Sequence, residues 1–109
     1  MEQFSEEVFY VAFLDTQLKV IACEKLFHGT IDRTAIYPRE VIKSAIKHNA
    51  KNIIFAHNHP SANNARPSEG DISVTHRLKE ALALIEVDVV DHIIIAGTKY
   101  FSFLEDGLL

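Results

Sequence analysis

Asn52-Ile53-Ile54-Phe55-Ala56-His57-Asn58-His59-Pro60 is a short apolar run that opens into polar chain at two histidines. A run of this length, bounded by turn residues, predicts a buried strand of an α/β sheet. His57 and His59 stand at i and i+2, so at a strand end both imidazoles point to one face. Ser68 and Asp71 follow nine and twelve residues after His59. A carboxylate delivered from the next element would complete a three-ligand set. Three protein ligands and one open position is how a catalytic zinc is held, whereas a structural zinc is closed by four.

Working outward, Glu7–Leu14 is rich in β-formers, with apolar residues on both parities, which predicts a strand covered on both faces. Asp15-Thr16-Gln17 reads as a turn, and Leu18–Phe27 as the returning strand of a hairpin. Gly29 and Asp32 break the next stretch of chain. Pro38 suits the first turn of a helix, and Val41, Ile42, Ala45 and Ile46 form its apolar stripe, ending at Asn49–Asn52. Residues 60–67 read as a polar loop. Ser68 starts a second helix with Val74, Leu78, Ala81, Leu82 and Ile85 on one side. Val87–Val90 and His92–Ala96 read as strand broken by Asp91. Gly97-Thr98 is a turn before a last strand over Tyr100–Leu104. The order β-β-α-β-α-β-β predicts an α/β fold, a mixed sheet with packed helices.

The 109 residues suffice for one domain, spanning 1–109, and are too few for two. At 48% hydrophobic content a packed core is expected. Cys23 is the single cysteine, which excludes an internal disulfide and a cysteine zinc cluster. One thiol, an acidic start without a basic leader and no apolar run of membrane length point to a cytoplasmic protein without a membrane partner. A net charge of −4, pI about 5.8 and scattered lysines argue against broad nucleic-acid binding.

Each candidate residue has a structural competitor. His57 and His59 could be polar residues at a strand end, but ligand sites favour strand ends in α/β sheets, which tips them toward metal ligation. Ser68-Glu69-Gly70-Asp71 is close to a capping box and would explain Ser68 by itself. Asp71, however, lies in line with Val74 and Leu78, and a charge on the inward face needs a partner. The cap and the ligand are compatible. A hydrolase also needs a general base, for which Glu7, Glu40, Glu69 and Asp91 are candidates. Glu40 and Glu69 fit first-turn dipole partners. Asp91-His92 reads as structural, because strand neighbours face opposite ways. His28, His48 and His76 show no partner pattern and read as surface residues.

These residues resemble the JAMM (MPN+) metalloprotease motif: a distant Glu, then His-x-His, Ser and Asp. The whole chain is similar to the C-terminal domain of bacterial RadC-like proteins. The similarity rests on Phe13-Leu14-Asp15, Phe27-His28-Gly29-Thr30, Tyr37-Pro38-Arg39-Glu40-Val41, Ala56-His57-Asn58-His59-Pro60-Ser61, Pro67-Ser68, Val90-Asp91-His92 and Tyr100-Phe101-Ser102-Phe103. The resemblance implies a cytidine-deaminase-like, JAB/MPN-type α-β-α sandwich. It implies zinc on His57, His59 and Asp71, Ser68 supporting the oxyanion or the water, and a Glu general base from an early strand, for which Glu7 is first choice and Glu40 second. The chain departs from the family in a 60–67 loop one residue longer than usual and in Ala62, where Gly is usual. The N-terminal helical region of full-length RadC-like proteins is not in this sequence, so the chain is read as a short member or an excised domain.

The function expected is a zinc-dependent metallohydrolase, a peptidase or isopeptidase that acts on a peptide or protein through a zinc-activated water. The alternative is a non-catalytic metal-containing module associated with DNA repair, which the acidic charge does not favour. The sheet edges could pair in a homodimer.

Overall fold

The structure is a computed structural model that describes residues 7–29, 36–60 and 64–109, with backbone alone at 27–29. The break expected at Asp32 and the middle of the 60–67 loop, including Ala62, lie outside the described residues, as does the side chain of His28.

Seven elements run in the expected order: β1 (Glu7–Leu14), β2 (Val20–Gly29), α1 (Pro38–Lys47), β3 (Asn52–Asn58), α2 (Glu69–Ala83), β4 (Asp88–Ala96) and β5 (Lys99–Ser102). The strands form one mixed sheet in the order β2-β1-β3-β4-β5. The β3–β4 pair is parallel and the other three are antiparallel.

Several boundaries moved for local reasons. β2 begins at Val20 rather than Leu18, because Asp15 gathers the intervening turn. Its Oδ1 accepts the N–H groups of Gln17 and Lys19 at 2.8 and 2.9 Å, and Leu18 takes the left-handed φ of 64° that closes the turn. The break expected at Asp91 is a bulge. Ile53 pairs with Val89 and Ile54 with Asp91, so Val90 is passed over and β4 runs on unbroken. Gly97, at φ 61°, supplies the positive φ that a two-residue hairpin into β5 requires. β5 stops at Ser102 because the Leu104 N–H turns to Asp91 Oδ1, 3.0 Å away.

β2–α1–β3 and β3–α2–β4 both connect parallel strands and advance across the sheet in the same direction. Right-handed crossovers then place both helices on one face. The core agrees: Val41 and Ala45 of α1 and Val74, Leu78 and Leu82 of α2 share a cluster with Phe9, Val11, Phe13, Ile53 and Phe55. The described residues thus supply one helical layer, on the face carrying the odd-numbered residues of β1 and β3. On the other face of β1, Val8 and Leu14 are buried, but Tyr10 and Ala12 only half so. Ile46, expected in the stripe of α1, is instead 63% exposed.

Glu24 of β2 anchors α1. It accepts a hydrogen bond from Ser44 Oγ at 3.1 Å and pairs with His48 Nε2, one helical turn further on. His48 is therefore a partly buried partner rather than the surface residue expected. His76 is exposed as expected, its Nε2 2.9 Å from the carbonyl of Leu108.

Candidate metal centre

β3 delivers two imidazoles at its C-terminal end. His57, 1% exposed, is the penultimate residue of the strand, and its ring stacks on Phe9 of β1 at 5.6 Å and 11°. His59 lies just beyond the strand, but its N–H still donates to the Ile95 carbonyl at 2.8 Å, which prolongs the parallel ladder. Both side chains therefore keep the alternation of the strand and share a face.

α2 delivers the carboxylate. Ser68 is its N-cap. Ser68 Oγ accepts the Asp71 N–H at 3.0 Å, and the Ser68 N–H donates to Asp71 Oδ2 at 2.9 Å, a complete capping box. Asp71 is 2% exposed in the first turn and meets the histidines. His57 Nε2 lies 3.6 Å from Asp71 Oδ1, His59 Nε2 lies 3.3 Å from Asp71 Oδ2, and the two Nε2 atoms are 3.1 Å apart. Donors bound at about 2.0–2.2 Å at tetrahedral angles stand about 3.3–3.6 Å from one another. Two of the observed separations, 3.3 and 3.6 Å, fall in that range and the third, 3.1 Å, lies just below it, so the group can hold a metal ion. The donor chemistry agrees, since two imidazoles and one carboxylate make a mixed set suited to a first-row divalent cation.

Burial would raise the pKa of Asp71, but the facing His57 and His59 rings and the hydrogen bond from the Ser68 N–H outweigh it and hold the carboxyl well below its ordinary range. Asp71 is thus ionised and ready to ligate.

The other expected residues divide. Ser68 is exposed at the helix start beside Asp71. Glu7 heads β1 two residues before Phe9, whose strand partner is His57, so Glu7 belongs to the face of the sheet that carries the cluster. Glu40 is exposed in the first turn of α1, 3.7 Å from Arg39 Nε and 3.8 Å from Lys43 Nζ. Asp91 is a clamp for the end of β5: its carboxylate accepts Ser102 Oγ at 2.6 Å and the Leu104 N–H at 3.0 Å.

Three residues escaped the sequence reading. Asn58 Oδ1 accepts the Val8 N–H at 2.7 Å, which ties the start of β1, beside Glu7, to the end of β3. His92 Nε2 lies 2.7 Å from His57 Nδ1, and Thr75 Oγ1 lies 2.6 Å from His92 Nδ1. Burial first, and then the neighbouring His57, depress the pKa of His92 to about 3, so His92 is neutral at neutral pH. Alternation does place His92 and Asp91 on opposite faces. Paired with Phe55, His92 then falls on the helix-covered face, which was the available signal.

The model of the RadC-like JAB domain family matches residues 1–108. The chain belongs to this family. It is 52% identical to a UPF0758 protein of Janthinobacterium sp. (strain Marseille) over 103 residues, 94% of this chain and 46% of that protein. A UPF0758 protein of Thiobacillus denitrificans is 54% identical with the same coverage, and one of Cellvibrio japonicus is 50% identical over all of this chain and 48% of its own length. This RadC-like domain therefore spans about half the length of the curated relatives it matches. No helix among its described residues is long and apolar enough to cross a membrane.

Proposed function

We propose that the domain is a zinc-dependent hydrolase acting on a peptide or isopeptide bond of a peptide or protein substrate. The observation that carries this reading is the convergence of His57 Nε2, His59 Nε2 and the Asp71 carboxylate at 3.1, 3.3 and 3.6 Å from one another. Three donors leave a fourth position for water or substrate, as in catalytic rather than structural sites. Zinc, when bound, supplies Lewis acidity toward a carbonyl and brings the pKa of a water to about 7.

The chain's own residues do the rest. Glu7 accepts a proton from the attacking water as the new C–O bond forms. It returns that proton to the amine nitrogen as the C–N bond breaks. Asn58 keeps the start of β1 against β3, so Glu7 is presented from a paired strand rather than a loose end. Ser68 donates its hydroxyl proton to the tetrahedral oxyanion, a type of contact worth about 3–4 kcal/mol elsewhere. Digestion of a peptide library and of isopeptide-linked substrates, with and without a chelator, tests the proposal. Chelator-sensitive cleavage supports it, and no cleavage by zinc-loaded protein contradicts it.

A further inference from the structure

Thr75, His92 and His57 form a buried chain of contacts whose direction can be worked out by counting protons. Thr75 Oγ1 lies 2.7 Å from the Asp71 carbonyl oxygen. A carbonyl only accepts, so the hydroxyl proton must lie between these two oxygens. A hydroxyl has one proton. The contact of 2.6 Å between Thr75 Oγ1 and His92 Nδ1 therefore takes its proton from His92. His92 is fully buried among the rings of Phe9, Phe55 and Phe103, surroundings that favour an uncharged imidazole with a single proton, so with that proton on Nδ1 its Nε2 is bare. The 2.7 Å contact between that Nε2 and His57 Nδ1 then takes its proton from His57. His57, protonated at Nδ1, has a bare Nε2, the atom facing Asp71 and His59.

We propose that His92 and Thr75 are positioning residues that lock His57 in the Nδ1–H tautomer, so that its Nε2 lone pair is presented to the metal. The chain starts at the backbone carbonyl of Asp71, itself a ligand, so one helical turn both supplies a ligand and sets the tautomer of another. The proposal rests on the metal-site reading above. The relay has little freedom to reverse. Thr75 and His92 are fully buried, and the His92 ring is stacked on Phe103 at 4.7 Å and 9° and edged by Phe9 and Phe55. Groups that orient a metal-bound histidine through its second nitrogen typically change metal affinity by about 10–100-fold.

The test has two arms. Long-range proton–nitrogen correlation NMR on the metal-free protein at pH 7.5 reads the tautomers directly and needs neither metal nor variant. His57 and His92 are expected as Nδ1–H, the form that free histidine disfavours in water; an Nε2–H signal for His57 overturns the proposal. Zinc and cobalt titrations of wild type, Thr75→Val and Thr75→Ser form the second arm. Valine keeps the volume and removes the hydroxyl, so affinity should fall about 10–100-fold and the cobalt absorption bands should change, while serine restores both. Unchanged affinity in Thr75→Val overturns the relay. Should the valine variant not fold, Thr75→Ala removes the same hydroxyl, the acceptor of the His92 proton, and takes its place. Wild-type protein with the expected tautomers but no affinity for zinc contradicts the metal reading instead, and the relay's purpose with it.

Discussion

Ser68 and Asp71 hold each other through two hydrogen bonds, 3.0 Å from the Asp71 N–H to Ser68 Oγ and 2.9 Å from the Ser68 N–H to Asp71 Oδ2. The same carboxylate faces His59 at 3.3 Å. Asp71 is thus a helix cap and a candidate ligand at once, and the cap fixes where the ligand points.

The two roles separate by mutation. Ser68→Ala should cost about 0.5–2 kcal/mol of stability through the lost cap. Asp71→Asn keeps an oxygen for the Ser68 N–H, so the metal-free variant should be nearly as stable as wild type, yet zinc affinity should collapse because a neutral amide is a poor ligand. Urea unfolding with a zinc titration of both variants measures this. Wild-type zinc affinity in Asp71→Asn would reduce Asp71 to a first-turn acid.

Glu7→Gln should bind zinc and fold normally while losing most hydrolysis. Glu40→Gln should keep activity, since Glu40 is exposed and engaged with Arg39 and Lys43. Assaying both on one cleaved peptide, with zinc measured in the same samples, decides. Loss confined to the Glu40 variant moves the base to α1.

Asn58→Ala should destabilise the domain by about 1–3 kcal/mol, because the buried Val8 N–H loses its acceptor. Hydrogen exchange should accelerate at the start of β1 before it does elsewhere in the sheet. Uniform protection across β1 would contradict this role.

Stability should fall in acid in separable steps. Glu24 has its pKa lowered from 4.5, chiefly by the hydrogen bond to His48. A depressed carboxylate contributes stability above its unfolded pKa and loses it as pH falls through the folded one, so the Glu24 contribution is full above 4.5 and fades below. His92, depressed from 6.5 to about 3, must take up a proton on unfolding anywhere between those values, so metal-free protein begins to weaken already below pH 6.5. Unfolding of Glu24→Gln against wild type between pH 3 and 7 should show a gap that is constant above 4.5 and narrows below it. The gap should be modest, since the Glu24 side chain is 30% exposed. A gap that widens in acid would reverse the sign.

Element order was legible because the periodicities are local. Pro38, the Ser68-x-x-Asp71 cap and the apolar run over 53–56 each mark their element without reference to the rest of the chain. The His57, His59 and Asp71 group was legible for the same reason: strand alternation and helical phase together fix where three side chains point. What escaped depends on pairing across the sheet. Val90 could be passed over only once Asp91 was known to pair with Ile54, and His92 could meet His57 only once β4 was known to lie beside β3. His48 found Glu24 through a helix–strand crossing that no spacing encodes.

The central claim is that His57, His59 and Asp71 together hold one zinc. Metal analysis by mass spectrometry of protein purified without added zinc, run beside His57→Ala, His59→Ala and Asp71→Asn, tests it most directly. The account predicts about one zinc per folded wild-type chain, little in the variants, and a variant fold that survives metal loss. A folded wild type without zinc, or variants that keep it, would contradict the claim.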